Sequence, residues 1–433
     1  MLLDIEKLIY GGDGLARLPA GSSGDKDRGP GKAVFVPFVL AGEKIEAAIT
    51  EEKPGFARAR VNAIVEPSPH RVPALCPHFT RCGGCHYQHA AYEHQLEIKK
   101  EILRENLRRI AKFELQCEIQ VHPSPPWNYR NRSRLQVQTQ PEFAAGYFKF
   151  ASHELLPVEE CPISSPLINR GIAALWQAGR AGKAVEGVRE IEFFSNAGDT
   201  KILVELLCAP EARRAAVRVW AEELCAAMPE FLGVVAFREP QKGMQEPLVA
   251  VGAHELTYKT KTAAYRVSAG AFFQVNRFLI DELVNIVTAG RSGELALDLY
   301  AGVGLFSTAL ACNHRHIVSV EMSQTAAGDL QYNLPVNGKA VRAATEQYLT
   351  GHTDREPPDL IVVDPPRSGL RDPVARLLAS VGAPRVTYVS CDPATLARDL
   401  VPLRAAGYRV EEAHLVDLFP QTHNLESVVQ LVR

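Results

Sequence analysis

From about residue 265 to its last residue the chain alternates apolar strand-like runs with helical segments. The runs are ELALDLY, HIVSVEM, DLIVVDPP, RVTYVSC, YRVEEAHLVDLF and SVVQLVR. Neighbouring parallel strands need a long crossover, and helices placed between the strands supply it. The pattern therefore predicts a doubly wound α/β sheet, with any ligand site beyond the carboxyl ends of the strands. No internal repeat at solenoid periods is visible.

The 433 residues predict two or three domains. Residues 1–66 read as short strands (IEKLIYGGDGLARL, KAVFVPFVL, EKIEAAITEE, FARARVNAIVEP) punctuated by GGDG, GSSGDKDRGPG, AGE and KPG, which suggests a small β-barrel. Residues 95–111 place Leu96, Leu103, Leu107 and Ile110 at helical spacing, with Lys99, Lys100, Arg104 and Arg108 largely away from them. HPSPPWNY reads as a linker. YRNRSRLQVQTQ, the GYFKF segment, IEFFSNAGDTKILVELL and FLGVVAFRE read as strands of a mixed central domain. The N-terminus lacks a basic n-region and a long apolar run, and no stretch is long and apolar enough to span a membrane. The expectation is a cytoplasmic protein without membrane association, in which disulfides do not persist. Net charge is only −2, yet Lys53 to Leu135 carries 14 Lys and Arg against 7 Asp and Glu. That excess reads either as an ordinary solvated surface or as a footprint for a polyanion such as RNA.

LALDLYAGVGLFSTALA runs from an apolar strand through a turn with Gly302 and Gly304 into a helix. Glu321 ends the next strand, 23 residues after Asp298, about where such folds place an acid on ribose hydroxyls. The position three after Gly304 is Ser307, so the dinucleotide fingerprint GxGxxG is incomplete and S-adenosylmethionine fits better than NAD. RVTYVSCDPATLARDL puts Cys391 at a strand tip, with Asp392 as helix N-cap and Pro393 at the first helical position. The helix dipole and unpaired N–H groups there are expected to favour thiolate. A buried, inert cysteine is the alternative. VVDPPRSGL places Asp364 and Arg367 at the same edge of the sheet, and HNLESVVQLVR places Glu426 just before the last strand.

CPHFTRCGGC gives Cys76, Cys82 and Cys85 a C-x5-C-x2-C spacing, and Cys161 stands apart in EECPISSP. Four thiolates hold either zinc or an iron–sulfur cluster. Cys117, Cys208, Cys225 and Cys312 read as ordinary core residues.

CPHFTRCGGC with Cys161, GAFFQVN, DLYAGVG, VDPPRSG, SCDPATLARDL and HNLESV together resemble the RNA uracil-C5 methyltransferase family, in particular the iron–sulfur branch that methylates 23S rRNA. The match spans nearly the whole chain, and its first part looks like a TRAM domain. The resemblance implies a Rossmann-like S-adenosylmethionine-dependent methyltransferase domain, an N-terminal TRAM/OB-type β-barrel and a central α+β iron–sulfur domain. The implied boundaries are 1–66 for the barrel, 67–94 with 122–264 for the central domain, and 95–121 with 265–433 for the catalytic domain. It further implies Cys391 as nucleophile and Glu426 as the base that removes the C5 proton. Gln274, Tyr300, Leu305, Glu321 and Asp364 would line the S-adenosylmethionine site, and Cys76, Cys82, Cys85 and Cys161 would hold a [4Fe–4S] cluster. The family often has Asn where this chain has Leu305, so any contact there is backbone or apolar. A further cofactor contact near AATEQY has only Thr345 and Glu346 as candidates and stays unassigned. Arg132, in YRNRSR, is a candidate nucleotide or cofactor contact. The implied partner is RNA, with a monomeric enzyme. tRNA as substrate, or RNA binding without catalysis, are the alternatives.

Overall fold

A computed structural model describes residues 1–18, 31–239, 246–351 and 356–433. The punctuating loop GSSGDKDRGPG lies, apart from Gly31, outside the described residues. The C-terminal part is built on an eight-stranded sheet. Its order is Gly338–Arg342, His314–Glu321, Gly293–Leu299, Leu360–Val363, Arg385–Ser390, Glu426–Val432, Arg409–Val416 and Ile119–His122. The first five strands are mutually parallel, and Glu426–Val432 runs antiparallel to both of its neighbours. Strand order reverses between Gly293–Leu299 and Leu360–Val363, and a crevice opens beyond the carboxyl ends at such a reversal.

Both faces of the middle of this sheet are covered, so its central strands are buried throughout rather than alternating. Every residue of Leu360–Val363 and of Glu426–Val432 is buried. Successive residues still point to opposite faces. Ala296, Val362, Val389 and Val428 pack with the hairpin Glu255–Lys259/Ala264–Ser268 and the helix Ile280–Thr288. Leu297, Ile361, Tyr388 and Val429 face the helices Arg371–Val381 and Pro393–Ala405. That hairpin straddles residues 264 and 265, where the sequence reading places a domain boundary.

The helix Tyr92–Ile110 sits on the second face through Leu103 and Leu107, and Ile119–His122 closes the sheet's edge. One expectation for this helix fails. Lys99, read as lying away from the apolar side, is completely buried, and Ile110, read as facing the core, is exposed. Lys99 is tolerated inside because its ammonium donates to Asp417 Oδ1 at 2.6 Å and to the Phe419 carbonyl at 2.9 Å, while Tyr92 donates to Asp417 Oδ2 at 2.9 Å. A buried charge needs such a paired and hydrogen-bonded environment.

The described residues among the first 66 form a six-stranded sheet around its own core of Leu3, Val34, Val36, Ile45 and Ala59. The central part is a seven-stranded mixed sheet with the helices Pro166–Arg180 and Arg214–Ala227 packed on it. Residues 67–91 lack extended regular structure and carry the cysteine-rich loop. No helix among the described residues is long and apolar enough to cross a membrane. The basic excess is largely neutralised within the chain. Lys53, Arg58, Arg71, Lys99, Lys100, Arg104, Arg109, Arg132 and Arg134 all form ion pairs.

Lys99→Met leaves the Asp417 carboxylate buried without its cation. Removing one partner of a buried pair costs about 3–5 kcal/mol, so the urea unfolding midpoint is expected to fall sharply; an unchanged midpoint would show that the pair is not needed for stability.

Candidate active site

Three strand ends meet at one edge of the sheet. Leu360–Val363 runs into Asp364, Arg385–Ser390 runs into Cys391, and Glu426 begins the last strand. Ser390 pairs with Ser427 in antiparallel register, so the next position on each strand sets Cys391 opposite Glu426. Pro365 and Pro366 end the strand after Asp364 because proline has no ladder N–H. The loop that follows is tied down by Arg367, whose guanidinium donates to Asn424 Oδ1 at 3.2 Å, and by Thr395, whose hydroxyl donates to the Arg367 carbonyl at 3.2 Å. Gln274 reaches the same point, donating to Asp364 Oδ2 at a long 3.4 Å.

The electrostatics reverse the expectation of a resting thiolate. Burial pushes the Cys391 thiol up to about 12, the facing Glu426 and Asp364 carboxyls add to this, and Arg367 opposes it only in part. The helix N-terminus gives little relief, because the N–H groups of Ala394 and Thr395 already donate to Asp392 Oδ1, each at 2.9 Å. Glu426 is raised well above the usual carboxylate range by burial and then by Asp364. Asp364 is raised to about 7 by burial and then by Asp298; its carboxyl is enclosed although the residue as a whole is partly exposed. Like charges enclosed together cannot all ionise, so this group holds protons at neutral pH.

The Gly-containing turn lies next to this group. Tyr300 follows the strand Gly293–Leu299 at φ 62° and Gly302 has φ 55°, so the chain turns away from the sheet edge. A Cβ on Gly302 would project into open space. Glu321 caps the turn, accepting the Gly302 N–H at 2.9 Å and the Ser323 N–H at 2.7 Å. Asp298 is fully buried beneath the turn, accepts the Ser307 hydroxyl through Oδ2 and leaves Oδ1 without a partner. Leu305 is a core residue whose carbonyl accepts the Tyr265 hydroxyl at 3.1 Å. Thr345 is buried at the start of the helix Thr345–Thr350 and hydrogen-bonds the Tyr300 side chain. Arg132 makes its contacts within the chain: it donates to the Ala271 carbonyl at 2.8 Å, lies 4.2 Å from the centre of the Phe194 ring and pairs with Glu192.

The four cysteines singled out in the sequence converge. Cys76, Cys82, Cys85 and Cys161 line one cavity of about 210 Å³, and all four are free thiols. Backbone contacts shape the cavity. The Cys76 N–H donates to Gln88 Oε1 at 3.0 Å, the Gly84 N–H to Cys82 Sγ at 3.4 Å, and Asn169 holds both the N–H and the carbonyl of Cys161. Among the described residues, no group of three or more Cys, His, Asp or Glu is gathered tightly enough to hold a single metal ion. Burial, with mutual repulsion, raises Cys82 to about 11 and Cys85 further still, so these thiols are poor hosts for negative charge without a cation. Of the cysteines expected in the core, Cys312 is exposed instead, in the turn after a short helix.

Sequence reasoning missed two contributors. Asn276, quoted only as part of GAFFQVN, is fully buried. Its amide donates to Ser124 Oγ and the Leu418 carbonyl, and its Oδ1 accepts the N–H groups of Phe278 and Leu279. Tyr10, in the N-terminal sheet, reaches the Cys391 carbonyl. Neither pairing has a local signal, because the partners are far apart in sequence.

Comparison with known proteins agrees with this layout. Residues 91–351 and 352–433 match the family described as tRNA (Uracil-5-)-methyltransferase, and residues 1–61 match the TRAM domain. An uncharacterized RNA methyltransferase of Aquifex aeolicus is 32% identical over 435 residues, covering 99% of this chain and 97% of that protein. Another from Caldanaerobacter subterraneus is 29% identical over 459 residues, covering 100% of this chain and 97% of that protein. The fold is similar to the crystal structure of the Pyrococcus abyssi tRNA (uracil-54, C5)-methyltransferase in complex with S-adenosyl-L-homocysteine. The TM-score is 0.75 at 23% identity, with 100% of each chain covered.

The raised Cys391 thiol has a measurable consequence in the ligand-free protein. Because only the thiolate is alkylated, its modification by iodoacetamide, followed on the Cys391 peptide, is expected to quicken about tenfold per pH unit between about pH 7 and pH 9. A rate that is already level below about pH 8 would mean a thiolate at rest and would overturn this electrostatic picture.

Proposed function

Because the chain belongs to the tRNA (uracil-5-)-methyltransferase family and carries a TRAM domain, we propose that it methylates C5 of a uridine in 23S rRNA, with Cys391 as nucleophile and Glu426 as base. Membership makes it an enzyme of the RNA (uracil-5-)-methyltransferase type. The observation that carries the assignment of roles is the antiparallel register that sets Cys391 opposite Glu426, beside Asp364.

C5 of uracil is too weak a nucleophile to take a methyl group unaided. Addition of the Cys391 sulfur to C6 creates an enolate whose C5 is nucleophilic. S-adenosylmethionine supplies the electrophilic methyl group when bound. Glu426 then takes the C5 proton and the Cys391 sulfur leaves. An enclosed carboxylate with a strongly raised pKa has high affinity for that proton, which suits this step. The resting thiol first loses its proton to solvent and Glu426 takes the C5 proton as the ionised carboxylate, so nucleophile and carboxylates titrate as one group rather than as independent residues.

The residues around the turn fit the cofactor. Support comes from the open space above Gly302, the unpartnered Asp298 Oδ1 below it, and the carboxylates of Glu321 and Asp364 on either side. In this reading Gln274, Tyr300 and the backbone at Leu305 complete the wall. The four-thiol cavity likewise fits a [4Fe–4S] cluster held by Cys76, Cys82, Cys85 and Cys161: four free thiols line one cavity of about 210 Å³. The choice of 23S rRNA rests on the resemblance of this cysteine pattern to the iron–sulfur branch. The barrel, 1–66, and the central part, 67–94 with 122–264, then bring RNA to the catalytic part, 95–121 with 265–433. tRNA is the second reading, favoured by the family description and by the named substrate of the P. abyssi enzyme.

Cys391→Ala is expected to abolish covalent trapping on 5-fluorouridine RNA; persistent trapping would remove Cys391 as nucleophile. Glu426→Gln should form the adduct but release product slowly, and unchanged turnover would take Glu426 out of the mechanism. Protein purified without oxygen should be brown and contain iron and sulfide, whereas a colourless zinc protein would defeat the cluster assignment. Mapping 5-methyluridine in rRNA and tRNA from cells with and without the protein decides the substrate: loss of methylation confined to tRNA would overturn the choice of 23S rRNA.

A further inference from the structure

The turn Tyr10-Gly11-Gly12 belongs to the N-terminal sheet, between the strands Lys7–Leu8 and Asp13–Arg17, yet it ends in the catalytic edge. The Tyr10 hydroxyl donates to the backbone carbonyl of Cys391 at 3.3 Å. Its ring meets His423 edge-on, with centroids 5.8 Å apart, and His423 in turn meets His86 edge-on at 4.2 Å. His86 and Tyr87 donate their backbone N–H groups to the Gln421 carbonyl at 2.9 and 3.0 Å, within the loop that leads into Glu426. Gly12 permits the close approach. At φ +94° a Cβ there would lie 3.2 Å from the His86 Cβ and 3.4 Å from the His423 Cβ. The hydroxyl remains a donor, because burial and then the nearby Asp392 disfavour its ionisation.

We infer that Tyr10 is a positioning residue for the reaction: its hydroxyl holds the backbone that carries Cys391, and its ring braces His423 on the loop that carries Glu426. The inference rests on the roles proposed for those two residues. The physical need is plain. Cys391 lies just beyond the last paired residue of its strand, so sheet hydrogen bonds no longer fix it, and catalytic geometry tolerates only small misplacement. The hydrogen bond is long in the free protein, as such bonds often are before substrate closes a site. RNA that engages the barrel thereby acts on the nucleophile through this turn. The barrel becomes a working part of the active site as well as an RNA-binding unit.

The test is single-turnover methyl transfer by the full-length protein to total RNA from cells lacking it, measured at rising RNA concentration. Tyr10→Phe keeps the ring and removes only the hydroxyl. Its rate at saturating RNA is expected to fall about five-fold, the worth of one hydrogen bond, with the half-saturating concentration unchanged. Tyr10→Ala, which also removes the brace on His423, should be slower still. A Tyr10→Phe rate equal to wild type would overturn the inference, leaving the ring as packing. A weaker half-saturation with an unchanged saturating rate would overturn it too, making Tyr10 an RNA contact. Methyl transfer retained by Cys391→Ala would instead defeat the underlying assignment of the nucleophile.

Discussion

The last strand, Glu426–Val432, runs antiparallel between Arg385–Ser390 and Arg409–Val416, and the site depends on that insertion. A parallel strand would deliver its carboxyl end to the edge where Cys391 sits. The antiparallel one delivers its beginning, and so presents Glu426 there. All seven residues are buried, so the register is strongly specified. A slip of one position would turn Val428 and Val429 each toward the wrong face of the sheet. Strand pairing thus brings Cys391 and Glu426 to one edge, with Cys391 one position beyond the last pair.

Holding the loop before that strand requires polar contacts in a dry interior. Lys99 and Tyr92 grip Asp417, Gln95 and Gln421 exchange hydrogen bonds at 3.0 Å in both directions, and Tyr129 donates to the Pro420 carbonyl at 3.1 Å. These donors come from the helix Tyr92–Ile110 and from the segment beside the cysteine cavity, where Tyr129 packs on Cys85. The cysteine loop and the catalytic loop are neighbours in one buried network. The peptide that follows Cys85 thereby also grips Gln421, through the backbone N–H groups of His86 and Tyr87.

The same enclosure sets the chemistry of the edge. Desolvation raises Cys391, Asp364, Asp298 and Glu426 together, so the group as a whole favours its protonated forms. A resting thiol is also less open to adventitious oxidation and alkylation than a thiolate. The helix dipole at Asp392 does not outweigh this burial. Asp392 occupies the very N–H groups that were to stabilise the sulfur, and two carboxylates arrive from other strands.

Much of this was legible in the sequence. Runs such as LIVV and VTYVS are apolar enough to be read as strands buried on both sides, and the helical segments between them predict the doubly wound sheet. Strand ends then place Asp364 and Cys391 at one edge, because consecutive strands of such a sheet finish there. Residue type and spacing also single out Cys76, Cys82 and Cys85, since thiols so close together invite a shared ligand, whereas Cys161, far along the chain, joins them only through the family resemblance. What sequence could not decide is everything that depends on partners far along the chain. Lys99 looks like a surface cation until Asp417 is brought beside it, and Tyr10 looks like a turn residue of a separate barrel. Local pattern reports which face of its own element a residue occupies. Only the tertiary structure decides what lies opposite, and burial against that partner sets whether a charge is paired, a thiol is ionised, or a turn belongs to the active site.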